Sequence, residues 1–65
     1  MDMFADADRV DVYDPIQEIW YNNCGKIVMT DYSNLSHTVQ LDNTGLHVNL
    51  SFDTVRNHVT KKSNV

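Results

Sequence analysis

The residues in this chain best suited to chemistry are acids: Asp6, Asp8, Asp11, Asp14 and Glu18 recur every two to four positions, with Tyr13 among them. Closely spaced carboxylates can hold calcium, act as a general acid and base, or present negative charge to a basic partner. A calcium loop starting at Asp6 needs an oxygen ligand at its fifth place, glycine at its sixth and glutamate at its twelfth. The chain has Val10, Asp11 and Gln17 there. Hydrolysis by paired carboxylates needs a cleft that raises the pKa of one acid, and 65 residues leave little interior to build one. Presentation of charge is what fits. On an extended strand, carboxylates two residues apart are separated by roughly 6.6 Å, about twice the ~3.4 Å advance per phosphate along one strand of duplex DNA. Such a row matches lysines and arginines arranged for DNA. Asp6, Asp8, Asp11, Tyr13, Asp14 and Glu18 are therefore the candidate partner-binding residues, the Tyr13 hydroxyl adding a donor and acceptor beside the carboxylates. The competing reading is plain solvation of a small protein's surface.

His37, His47, His58 and the single Cys24 are the remaining reactive side chains. No pair of them has the close spacing of a zinc motif, so the histidines read as ordinary surface residues and no metal is assigned. Cys24 has no second cysteine to bridge to, and it reads as a small core residue beside Trp20 rather than as a nucleophile. The expectation is a chain that is not an enzyme and needs no cofactor.

Charge narrows the partner. The formal net charge is -4, but residues 1–25 hold six acids against Arg9 alone, a local balance of -5, while residues 26–65 hold three acids against four bases. That field repels nucleic acid and anionic membrane, and it speeds encounter with a basic protein surface. One cysteine in so short a chain points to a reducing, cytoplasmic setting. The N-terminus lacks the charged and apolar regions of a signal peptide, and no apolar run approaches the ~20 residues of a membrane span. Residues 1–65 are expected to form a single small domain and a monomer.

The elements that must position these residues are read from patterning. Val10–Tyr13 alternates briefly, as a short extended segment does. Asp14-Pro15 has the chemistry of a helix start, and Ile16, Ile19, Trp20 and Cys24 then share one helical face ahead of Gly25, which favours a helix over 15–23. The rival is a strand at 18–22 turning through Asn23-Cys24-Gly25. Residues 26–30 are strand formers. Residues 38–52 alternate on either side of Asp42-Asn43-Thr44-Gly45, predicting a β-hairpin whose apolar face carries Val39, Leu41, Leu46, Val48, Leu50 and Phe52. Asp53 is placed to cap a final helix over 54–62, with Val55 and Val59 on one face, and the first ten residues carry a weak helical signal after Asp2. The sum is an α+β fold, an antiparallel sheet of about three strands with helices packed on one face.

The whole-chain pattern that opens Met1-Asp2-Met3-Phe4-Ala5-Asp6-Ala7-Asp8 and continues through Asp11, Asp14 and Glu18 resembles the small acidic inhibitors of bacteriophages and mobile elements. Among these it is similar to anti-CRISPR proteins that act on type I-C systems. The resemblance implies a non-enzymatic inhibitor that binds the RNA-guided surveillance complex in the host bacterial cytoplasm. An acidic, DNA-mimicking surface would then occupy a groove of lysines and arginines and keep target DNA out. The alternative is a small acidic adaptor or antitoxin that neutralises a basic cellular protein.

Overall fold

The computed structural model describes residues 8–59. Strand-forming residues run through most of this stretch, and three polar turns interrupt them. The result is β1 (Arg9–Asp14), β2 (Ile19–Asp31), β3 (Ser36–Leu41), β4 (His47–Ser51), a 3-10 turn at Phe52–Thr54, and β5 (Val55–Asn57). They form one sheet in the order β4-β3-β2-β1-β5, antiparallel at every pairing.

Strand β2 is the spine. Its first half pairs with β1 and its second half with β3, and Gly25 is partnered on both sides, by Val10 and by Leu41. A Cβ at Gly25 would lie 2.6 Å from the Gln40 carbonyl oxygen and 2.9 Å from Val39 Cγ1, so the close approach of β2 and β3 requires glycine here. The ladder also slips twice along β2, opposite Asp11 and between Ile27 and Met29. Extra residues of this kind bend a strand and increase its twist. Val10, Val39 and Val55 are the buried centre, and Val12, Ile27, Leu41, Val48 and Leu50 pack on it. Although β4 and β5 stand at opposite ends of the sheet, both feed this one cluster, so the sheet curls over on itself.

The turns share a design. Each ends on a left-handed residue: Glu18 (φ 59°), Leu35 (φ 55°) and Gly45 (φ 73°). In the first, Asp14 Oδ1 accepts the Ile16 and Gln17 amides at 2.9 and 3.3 Å, and the Glu18 amide donates to the Asp14 carbonyl at 2.7 Å. In the second, Asp31 Oδ1 accepts the Ser33 and Asn34 amides at 3.0 and 3.2 Å. The third closes with the Gly45 amide on the Leu41 carbonyl at 2.8 Å.

The α+β expectation is therefore corrected: the described residues form an all-β domain with five strands, not about three, and no helices on a face. Asp14 and Pro15 do start a turn, but Glu18 takes a left-handed backbone that ends it after one revolution, and Ile19, Trp20 and Tyr21 continue as strand. The helix over 15–23 is thus replaced by a turn and the start of β2. Within its described part, 54–59, the helix expected over 54–62 fails for a similar reason, and residues 60–62 lie outside the described residues. Val55 adopts an extended backbone, buries its side chain and pairs with Val12, whereas Val59 is exposed, so the two share no face. Asp53 does not act as an N-cap; its Oδ1 accepts the Ser51 hydroxyl at 2.7 Å. The hairpin over 38–52 is present, with Val39 opposite Val48, although Leu46 stands exposed rather than on the core. The helical signal after Asp2 lies outside the described residues, except at its end, where Arg9 and Val10 are strand.

Candidate functional site

On β1 the side chains alternate, Val10 and Val12 toward the core and Arg9, Asp11 and Tyr13 toward the outer face. The slip in β2 opposite Asp11 removes a regular ladder partner from Asn23, whose backbone is left-handed (φ 52°). Asp11 supplies the missing acceptor: its Oδ1 takes the Asn23 amide at 2.8 Å. The same carboxylate meets Arg56 Nε at 2.9 Å through Oδ2 and His58 Nδ1 at 2.9 Å through Oδ1. Asp11 is only 5% exposed. Burial works against its ionisation, but the Asn23 amide, Arg56 and His58 together hold its carboxyl below the ordinary aspartate value.

Aromatic side chains complete this face. Tyr13 pairs across the strands with Trp20, ring centroids 5.2 Å apart, and the Arg56 guanidinium lies 4.0 Å from the Trp20 ring centroid. On the other side of the slip, Arg9 donates from Nε to Asn23 Oδ1 at 2.7 Å and from Nη1 to Asp42 Oδ1 at 3.0 Å. One polar network thus runs from the β3–β4 turn, through Arg9 and Asn23, to Asp11, Arg56 and His58.

Of the six candidate residues, the five that are described do not form one row. Asp6 lies outside the described residues. Asp8 is exposed, and its carbonyl accepts the Ile27 amide at 3.0 Å. Asp11 is enclosed in the network, and Tyr13 is half-buried against Trp20. Asp14 spends one carboxylate oxygen on its own turn, and Glu18 is exposed at the turn's end. What comes together is the tip of the first hairpin: Asp14, Pro15, Ile16, Gln17 and Glu18, with Ile16 90% exposed. Beside it, a groove of about 710 Å³ is lined by Val12, Tyr13, Tyr21 and Leu41, with Asp14 and Asp42.

Patterning missed Ile16, which it assigned to a helical core face. It also missed Arg9 and Arg56, whose only signal was their rarity in an acidic and neutral surrounding. The histidines sit apart: His37 Nδ1 is 2.8 Å from the Thr30 hydroxyl and its ring stacks on Phe52 at 4.6 Å, His47 is exposed on β4, and His58 joins Asp11. Partial burial pushes the Cys24 thiol up, the opposite of what a nucleophilic thiolate needs. Among the described residues, no three His, Cys, Asp or Glu side chains form a group that could hold a metal ion, and no helix is long and apolar enough to cross a membrane. Comparisons with protein-family models, with curated proteins and with solved structures each find no match.

Proposed function

We propose that this chain acts by binding, as an inhibitor that docks on a basic, nucleic-acid-handling protein in the cytoplasm. A CRISPR surveillance complex is the partner its sequence resemblance implies. The observation that carries the reading is the hairpin tip, where Ile16, flanked two residues away on either side by Asp14 and Glu18, stands almost fully exposed to solvent. An apolar side chain held out in this way gains by being covered. The tip is also fixed before any partner arrives, by two bonds to Asp14 Oδ1 and one to its carbonyl. A pre-organised loop loses less freedom on binding than a flexible one, so more of its contact energy is retained. Asp14 and Glu18 supply the charge that steers the tip toward lysines and arginines and competes there with DNA. Asp11 has no part in this contact, because it is buried and its oxygens are taken by the Asn23 amide, Arg56 and His58.

The test is target-DNA binding by a purified type I surveillance complex with and without the protein. Inhibition is expected, and Ile16→Lys or Glu18→Lys should weaken it by about tenfold or more while the fold stays intact, since a charge directed at a basic surface is repelled. DNA binding unaffected by excess protein would reject the CRISPR partner. Full inhibition by both variants would reject the tip as the contact.

A further inference from the structure

We infer that β4 is a dimerisation edge: its outer side pairs antiparallel with β4 of a second copy of this chain, around a twofold axis at Asn49. The phase of the β3–β4 ladder gives the first argument. The Leu41 amide donates to the Leu46 carbonyl and the Phe52 amide to the Leu35 carbonyl, each at 2.9 Å. Hydrogen-bonded pairs alternate along an antiparallel ladder. Leu46, Val48, Leu50 and Phe52 therefore turn their peptide groups toward β3, and His47, Asn49 and Ser51 turn theirs away. Among the described residues no strand pairs with this outer side.

The second argument is the sequence of the edge. Natural edge strands are guarded by charge, proline or a bulge. His47-Val48-Asn49-Leu50-Ser51 contains no lysine, arginine, acid or proline, and its register with β3 is unbroken. The third is self-complementarity. With Asn49 opposite Asn49 of the second copy, His47 falls opposite Ser51, so the three outward residues become the hydrogen-bonded pairs, the Ser51 carbonyl accepting both the incoming amide and the Thr54 hydroxyl of its own chain, which lies at 2.9 Å. On the core face Val48 falls opposite Leu50, which extends the apolar layer across the axis. The strand itself carries no formal charge, but the Asp53 carboxylate adjoins its end through the Ser51 hydroxyl at 2.7 Å, and this acid together with the net charge of -4 weakens association. An edge of this length buries less than the ~1,200 Å² of a standard stable interface, so the dimer is concentration-dependent.

Sedimentation of the full chain over a wide concentration range tests this. The weight-average mass should rise from 7.5 kDa toward twice that value. Asn49→Lys puts like charges directly opposite at the axis and should raise the dissociation constant about tenfold or more. Asn49→Pro should also block dimerisation yet fold, because the lost amide faces outward, whereas Leu50→Pro should unfold the chain. Amide exchange needs no variant: protection of His47, Asn49 and Ser51 should appear only at high concentration. A monomer at all concentrations overturns the inference. So does protection of these amides that is independent of concentration, which would mean that the chain's own segments cover the edge.

Discussion

Asp11 and Arg56 stand directly opposite each other on β1 and β5, and the guanidinium that pairs with the buried carboxylate also covers the Trp20 ring. One side chain of β5 thereby holds a residue of β1 and a residue of β2. Asp11→Asn keeps the shape but removes the charge, and it should lower stability by about 1–3 kcal/mol. Arg56→Lys should cost about 0.5–1 kcal/mol through the lost stacking on Trp20. Urea unfolding monitored by Trp20 fluorescence measures both, and an unchanged midpoint in Asp11→Asn would show that the network contributes nothing to the fold.

Acid should unfold the protein. The carboxyls of Asp11, Asp31 and Asp42 are all held low: Asp31 by the Asn34 side chain, Asp42 by Arg9, and Asp11 by its three partners against burial. Each is less protonated in the folded chain than in the unfolded one, so unfolding takes up protons. Their contribution is complete above the unfolded value of about 4 and is lost as pH falls through the folded value. Tm should fall as pH drops below about 4, chiefly through the enclosed Asp11, because solvent screens Asp31 and Asp42. Asp11→Asn should make that fall shallower, and a Tm constant down to about pH 2 would contradict the assignment.

Glu18 and Leu35 occupy the left-handed positions that Gly45 fills in the third turn. A side chain there costs roughly 1–2 kcal/mol, of which glycine's greater freedom in the unfolded chain returns part. Glu18→Gly and Leu35→Gly should each stabilise the fold by about 0.5–1 kcal/mol. Gly45→Ala should do the reverse, although open space surrounds it. Thermal melts of the three variants give the comparison.

Gly25 is constrained by space rather than by φ. Gly25→Ala would press a methyl group against the Gln40 carbonyl and the Val39 side chain, and it should cost about 1–3 kcal/mol, the range for overpacking a tight site. Full wild-type stability in that variant would mean that β2 and β3 can separate at their crossing without loss.

Much of the second half of the sheet was legible in the sequence, because residues 38–52 alternate with period two around a turn containing Gly45, a signal that is local and nearly unambiguous. The first half was not. The bonds from Asp14 Oδ1 to the Ile16 and Gln17 amides are those that a helix cap makes, and the two structures diverge only at the backbone of Glu18. Short apolar spacings such as Ile16, Ile19 and Trp20 fit one helical turn as well as they fit a turn followed by strand. Asp11 was legible as an acid but not as an enclosed one, since Arg56 and His58 lie 45 and 47 residues away. Ile16 escaped notice because its exposure follows from the turn and not from its type.

The pairing of β1 with β5 differs from the other pairings in the length of chain that must fold back before it can form. The β1–β2, β2–β3 and β3–β4 hairpins can each zip from its own turn, at the small entropic expense of closing a short loop. The β5 segment has no such neighbour: the His58 amide reaches the Arg9 carbonyl at 2.9 Å only after the intervening chain has folded back. Contacts of that sequence separation are the ones that slow folding. If β5 docks after the rate-limiting barrier, loosening Asp11, Arg56 or Val55 leaves the rate of folding nearly unchanged and accelerates unfolding, so the latch that closes the sheet governs how long the native state survives once formed.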